Sequence, residues 1–169
     1  MSLTMYQASV PPLLQILQSL LVVLDKAAAH CEARKIAPEV ILQGRLYPDM
    51  FPMVRQVQIA TDQAKGAVAR LSGTPVPSYE DNETNFEMLK ERLNKTITFV
   101  KSFSAAQIDG SEAREVILKI RGVETKFVGQ EYLLNFVFPN FYFHATTAYA
   151  ILRSNGVELG KMDFLGPRS

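Results

Sequence analysis

Apolar positions recur at helical spacing in four stretches of the chain. Val10, Leu13, Leu14, Leu17, Leu20, Leu21 and Leu24 lie three and four apart and form one broad stripe. A first helix is expected over Ser9–Arg34, with Ser9 as N-cap and Pro11-Pro12 in the first turn. A start at Thr4 with a kink is the alternative. After a loop ending at Pro48, Asp49 reads as the cap of a second helix, Asp49–Ser72. Its stripe is Met50, Val54, Val57, Ala64, Val68 and Leu71, and Gly73 stops it. The stretch GTPVPSYEDNE is a linker by chemistry, rich in prolines and turn formers. Thr84 with Glu87 three residues later forms a capping box for a third helix, Thr84–Phe103, whose face is Phe86, Leu89, Leu93, Ile97 and Val100. The fourth, Pro139–Asn155, opens on Pro139, closes at Gly156, and turns Phe141, Ala145, Ala148 and Leu152 to the core.

Between the third and fourth helices the period changes. In REVILKIRGVETKFVG, alternating Val116, Leu118 and Ile120 meet Val123, Lys126 and Val128 around Arg121-Gly122. That pattern predicts a short β-hairpin or an extended crossover. A helical turn or two in QEYLLNFVF leads into Pro139. No internal repeat or low-complexity tract interrupts the pattern. The fold class expected is all-α, an up-down four-helix bundle with one elaborated crossover, and residues 1–169 form one domain.

Composition narrows the function classes. The chain is 47% hydrophobic and 21% charged, the balance of a soluble globular protein. Lys+Arg 18 against Asp+Glu 17 leaves no basic excess or stripe for nucleic acid, so no nucleic-acid partner is expected. Cys31 is alone, which excludes a disulfide framework and a CxxC metal clip and suits a reducing cytoplasm. The apolar stretch Leu13–Leu24 is broken by Gln15, Gln18 and Ser19 and is too short to span a bilayer, so no membrane association is expected. Met1, Ser2 and Leu3 carry no functional weight, the natural start being expected at Met5.

Candidate chemistry centres on one residue. Structural zinc takes about four N/S ligands, and catalytic zinc about three. This chain has 2 histidines and 1 cysteine. His30 and Cys31 are adjacent, so on a helix they diverge by roughly 100° and do not share an ion. They are expected at the frayed end of the first helix. His144 shares a strip of the fourth helix with Asn140 and Thr147, bordering its apolar side. The plainer reading is a core histidine bonded to a carbonyl or hydroxyl; the sharper is one leg of a metal or acid–base site between facing helices. Asp49, Asp62 and Glu131 are available to pair with Arg45, Arg55 or Arg153 as structural ion pairs. The Met50–Met53 and Phe136–Phe143 clusters read as core or subunit interface. No GxSxG elbow, HExxH, Walker loop or GxGxxG is present.

Three blocks carry a resemblance that covers essentially the whole chain: MYQASVPPLLQILQSL, DMFPMVRQVQIATDQAK and PNFYFHATTAYAILRSNGVELGKMDFLG. They resemble the DUF 1993 family, a domain of unknown function within the DinB/YfiT-like superfamily of four-helix bundles. Metal-binding members of that superfamily use one histidine on the second helix and an HxxxH pair on the fourth, before an LLRxLG-like end. LRSNG in this chain is similar to that end, so the resemblance puts the second histidine of the pair at His144 and the first at Asn140. The second-helix position falls at Gln56, or else Gln58. Amides are poor ligands for zinc or nickel beside imidazole. No metal and no other cofactor is therefore expected, and the pocket candidates are His144, Asn140, Thr147, Gln56 and Gln58. The function this implies is a non-catalytic bundle that binds a small apolar ligand or a protein partner as a homodimer. The alternative is a metal- or thiol-dependent transferase, isomerase or hydrolase working at His144 with a divalent metal such as zinc or nickel.

Overall fold

In the computed structural model, which describes residues 2–166, the chain is predominantly helical with one two-stranded sheet. Four long helices dominate: α1 (Met5–Arg34), α3 (Met53–Ser72), α4 (Phe86–Lys101) and α7 (Phe138–Ser154). Short helices α2 (Pro38–Leu42), α5 (Ala105–Ile108), α6 (Gly129–Glu131) and α8 (Lys161–Leu165) fill the connections. Helix α3 packs on α7 and α4, and α1 packs on α4 and α8. Leu13, Leu17, Val57, Ala64, Leu89, Leu93, Phe141 and Ala148 meet in one core and are fully buried. The expectation about Met1 lies outside the described residues.

Each of the four stripes lands on a long helix, but the starts move. Helix α1 begins four residues before Ser9. Thr4 caps it, accepting from the Gln7 backbone while Gln7 Oε1 accepts from the Thr4 N–H, both at 3.2 Å. Ser9 lies inside the helix, where its hydroxyl donates to the Met5 carbonyl at 2.6 Å. Pro11 and Pro12 are therefore interior, not first-turn. Two missing donors are tolerated because Leu13, Leu17 and Leu20 are wholly buried just beyond them. Helix α1 is also longer than the apolar stretch Leu13–Leu24 suggests. An 18-residue window with mean hydropathy 1.5 is long and apolar enough to cross a membrane, and 50% of it is buried.

Helix α3 starts at Met53, with Pro52 as N-cap and no side-chain cap, so Asp49 stays in the preceding loop. That loop contains α2, whose five residues are too few to show a helical period. Helix α4 is capped by Asn85, whose Oδ1 accepts from the Met88 N–H at 2.9 Å, and not by the Thr84–Glu87 box. Helix α7 ends at Ser154, one residue before the expected boundary.

The crossover is a hairpin. Strands β1 (Glu115–Ile120) and β2 (Val123–Val128) pair antiparallel, with Ile120 opposite Val123. Arg121 and Gly122 both have positive φ, 50° and 84°, as a tight two-residue turn matched to strand twist requires. Beyond α6 the backbone widens into a π-helical segment, Tyr132–Val137, that runs directly into α7. Tyr132 is fully buried there, its hydroxyl accepting from Arg70 Nη1 at 3.0 Å.

His30 and Cys31 do not lie at a frayed end. The helix is intact through Arg34, and Cys31 packs in the core at 2% exposure with its thiol pKa raised by burial.

Candidate functional site: an amide–imidazole contact between α3 and α7

Helix α7 carries Phe141, Ala145, Ala148 and Leu152 into the core, which leaves His144 on the edge of that face, half-buried toward α3. Helix α3 answers with Gln56, 1% exposed. His144 Nδ1 and Gln56 Oε1 are 2.7 Å apart. The amide's own bonding fixes the roles. Gln56 Nε2 donates to the Phe51 carbonyl at 2.9 Å, so Oε1 faces the ring and Nδ1–H donates to it. The second ring nitrogen, Nε2, has no partner among the described residues. Burial, followed by the charge of nearby Arg55, holds the imidazole pKa below its ordinary value, so the neutral ring prevails near pH 7. The Phe143 ring stands edge-on to it, with centroids 5.2 Å apart.

Only part of the expected pocket group assembles on His144. The Asn140 side chain folds back on α7, Nδ2 donating to the Phe136 carbonyl at 2.6 Å. The Thr147 hydroxyl does the same to the Phe143 carbonyl at 2.7 Å. Gln58 belongs elsewhere: its Nε2 donates to Glu83 Oε2 at 2.7 Å, and its Oε1 accepts from Arg55 Nη1 at 3.2 Å. Near this contact Phe143 is 55% exposed; Phe51, whose carbonyl holds Gln56, is 56% exposed, and the Arg55 guanidinium lies over its ring. Met53, from the same cluster as Phe51, is wholly core.

A second polar cluster lies between α3 and α4, around Arg92. Its side chain is only 3% exposed. Nε donates to Thr61 Oγ1 at 2.7 Å and Nη2 to Asp62 Oδ1 at 2.9 Å; Nη1 donates to Glu83 Oε1 and to the Glu80 carbonyl, both at 2.9 Å. Lys65 shares Asp62 at 2.7 Å, and Asp81 is shared with Arg55. Lys65, Arg92 and Lys95 crowd the Tyr79 ring. The stretch read as a linker is thus a strap pinned from α4. Asp62 and Arg55 do form ion pairs, with partners other than those expected. Arg45 instead caps the carbonyls of Pro48 and Met50. Sequence reasoning missed Arg92, although it stands among the buried positions Leu89, Leu93 and Thr96 of α4, where a cation requires partners.

The residues at the metal positions implied by the resemblance do not fit a zinc or nickel ion. Among the described residues no three His, Cys, Asp or Glu side chains gather as a ligand set. The amide N–H groups of Gln56 and Asn140 are already committed to carbonyls. Two ligands at about 2.1 Å from a tetrahedral ion sit roughly 3.4 Å apart. Gln56 and His144 are closer than that, at a separation suited to a shared proton.

These features define a helical protein whose long helices are joined by a half-buried amide–imidazole contact and a buried arginine hub. A family model described as a domain of unknown function (DUF1993) matches residues 5–165, and the chain belongs to that family. Among solved structures it is similar to the crystal structure of a DinB family member protein from Shewanella denitrificans. The two share 39% sequence identity at a TM-score of 0.87, over 96% of this chain and 92% of that one. No curated protein matches.

Proposed function

We propose that this chain is a DinB-like up-down four-helix bundle, one domain throughout, that binds a small apolar ligand beside His144 without catalysing a reaction. The His144–Gln56 bond at 2.7 Å carries the reading. At the three positions where superfamily members place imidazoles, this chain offers Gln56, Asn140 and His144, and two of the three are amides engaged with carbonyls. Exposed Phe51 and Phe143 supply an apolar rim to such a pocket, and one polar tip, His144 Nε2, would orient the ligand. A cytoplasmic homodimer belongs to the same reading, on the ground of aromatic and apolar residues that one subunit leaves uncovered, Tyr47, Phe51 and Phe143 among them.

One observation favours a second reading. His144 Nε2 bears a free lone pair on a neutral ring, the state a general base needs. A transferase, isomerase or hydrolase that uses zinc, nickel or a thiol would draw on it. The experiment pairs metal analysis of purified wild type and His144→Ala with titration by anilinonaphthalene sulfonate, an apolar fluorescent probe. The proposal expects less than a tenth of an equivalent of zinc or nickel in both, on the order of what non-specific carry-over gives. It also expects saturable probe binding that Phe51→Ser and Phe143→Ser weaken. One equivalent of metal in wild type that disappears from His144→Ala overturns it in favour of the enzyme.

A further inference from the structure

Asn155, just past the last residue of α7, is the one asparagine in the chain that is followed by glycine. An asparagine side-chain amide is open to attack by the backbone nitrogen of the next residue, and a glycine there presents no Cβ to hinder the approach. The reaction is intramolecular. Base removes the proton from the Gly156 nitrogen, a bond forms from that nitrogen to Asn155 Cγ, and the Cγ–Nδ2 bond breaks with release of ammonia. Water then opens the cyclic imide at either carbonyl and leaves aspartate or isoaspartate. No oxidant or reductant enters the balance.

The end of α7 holds this pair away from reaction. Gly156, at φ 90°, donates its N–H to the Arg153 carbonyl, and the Val157 N–H reaches back to the Leu152 carbonyl, both at 3.2 Å. Those two bonds and a left-handed glycine make a Schellman cap. Val157 is 1% exposed and belongs to the same core as Leu152, so the turn is anchored. The nucleophile is therefore tied to one carbonyl, and the group it would attack is tied to another: Asn155 Nδ2 donates to the Ile151 carbonyl at 2.7 Å. At ψ 10° the Gly156 nitrogen nearly eclipses Asn155's own nitrogen and is turned away from Cβ. Gly44 packs on the amide as well, since a Cβ built there would stand 3.4 Å from Nδ2. Attack requires both bonds to break and the backbone to rotate.

We propose that Asn155 is a self-modification site kept inactive by this cap, and that it converts only from molecules in which the end of α7 has opened. Its rate then follows the open fraction, because opening and closing are fast beside the chemistry. Conversion is one-way. A carboxylate at position 155 no longer donates to the Ile151 carbonyl, and it sets a negative charge at the C-terminus of α7, where the helix dipole is already negative. Isoaspartate goes further: it routes the main chain through the former side chain and inserts a methylene between residues that the cap needs adjacent. A cap that has opened and reacted does not close as before. The site thus turns a transient opening into a permanent one.

The test incubates the full chain at mildly alkaline pH, native and unfolded in guanidinium chloride, and reads acid at position 155 by peptide mass mapping. The native chain should convert at least about tenfold more slowly than the unfolded one. Val157→Ala removes the anchor of the cap and should convert severalfold faster than wild type while keeping its helical circular dichroism. In Asn155→Asp the amides of Gly156 and Val157 should exchange faster than in wild type. Equal rates in native and unfolded chain overturn the proposal, as does an unfolded chain that fails to convert or a folded Val157→Ala as slow as wild type. So do Asn155→Asp amides protected as in wild type. Should Val157→Ala lose its fold, wild type at guanidinium concentrations below its unfolding midpoint makes the same comparison. Conversion should then rise in step with exchange of the Gly156 amide, and a course independent of that exchange overturns the proposal.

Discussion

Arg92→Met removes the most deeply buried cation of the strap cluster while keeping most of its side-chain volume. Five partners lose Arg92: Thr61, Asp62, Glu83, the Glu80 carbonyl, and Asp81, which keeps Arg55. They do not lose equally. Asp62 is 36% exposed and keeps Lys65, so water and a second cation compensate it. Glu83 is 7% exposed and is left with one neutral donor, Gln58. Removing one partner of a buried pair costs about 3–5 kcal/mol, because the other charge stays buried and uncompensated. An exposed pair such as Lys126–Glu115, about 60% exposed on both sides, contributes at most about 1 kcal/mol. Urea denaturation of wild type and Arg92→Met should differ by about 3–5 kcal/mol, and for a chain of this size Tm should fall by roughly 6–20 °C. Glu83→Met added to Arg92→Met should recover part of the loss, since no orphaned carboxylate then remains. Limited proteolysis should cut the variant within residues 74–85. A loss below about 1 kcal/mol, with no new cleavage, would show that the strap is not held by this residue.

Four further outcomes follow from the His144 contact and the hairpin. His144→Ala leaves Gln56 Oε1 without its donor at a site 1% exposed, and should cost about 1–3 kcal/mol in the same denaturation experiment. The folded-state pKa of His144 lies below its unfolded value, so the ring's contribution is fully present above about pH 6.5 and is lost as pH falls through the folded pKa. His144→Leu should therefore flatten the stability–pH curve on the acid side of pH 6.5, and an unchanged slope would count against the burial of the ring. Gln56→His combined with Asn140→His restores the three-imidazole set that the resemblance implies and should bring about one equivalent of zinc into the purified chain. Failure to bind would show that these positions do not converge. Gly122→Val puts a β-branched side chain at φ 84° and should destabilise the hairpin turn by about 1–3 kcal/mol, read by amide exchange in β1 and β2.

The long helices were legible because burial imposes period. Leu13, Leu17, Leu20 and Leu24 must all face inward, and only a helix places them so. The turn was legible because Gly122, between two alternating apolar runs, takes positive φ without penalty; Arg121, at φ 50°, does so at a cost. Helix starts were less so, since several cap chemistries compete within a few residues: Thr4 with Ser9, and Asn85 with Thr84. The capping box at Thr4 and Gln7 outweighed the usual aversion to interior proline because the residues beyond are core. The strap was illegible for a different reason. Its composition is that of a loop, and only the three-dimensional proximity of Thr61, Asp62 and Glu83 to Arg92 makes it ordered. At the candidate site, the strip of α7 was readable from spacing. That Asn140 and Thr147 would bond their own helix was not, because a polar side chain can reach the carbonyl of the preceding turn, a local option that spacing does not reveal.

The bonding of Gln56 can be set beside that of a metal-bound imidazole. A metal-bound imidazole typically does two things: it gives a lone pair to the ion and donates its other N–H to a carbonyl or carboxylate. Gln56 retains the second function, with Nε2 on the Phe51 carbonyl, and turns a lone pair of Oε1 inward as the imidazole would. The cation is what differs. One proton on His144 Nδ1 lies between the ring and Gln56 Oε1, and the two side chains stand 2.7 Å apart. Such a contact is neutral overall, which is why it is compatible with the apolar wall of Ala60, Phe141 and Ala148, all fully buried. It also ties the loop bearing Phe51 to α7 through one side chain. Any group that displaced the Gln56 amide from His144 would therefore also strain the bond the same amide makes to the Phe51 carbonyl.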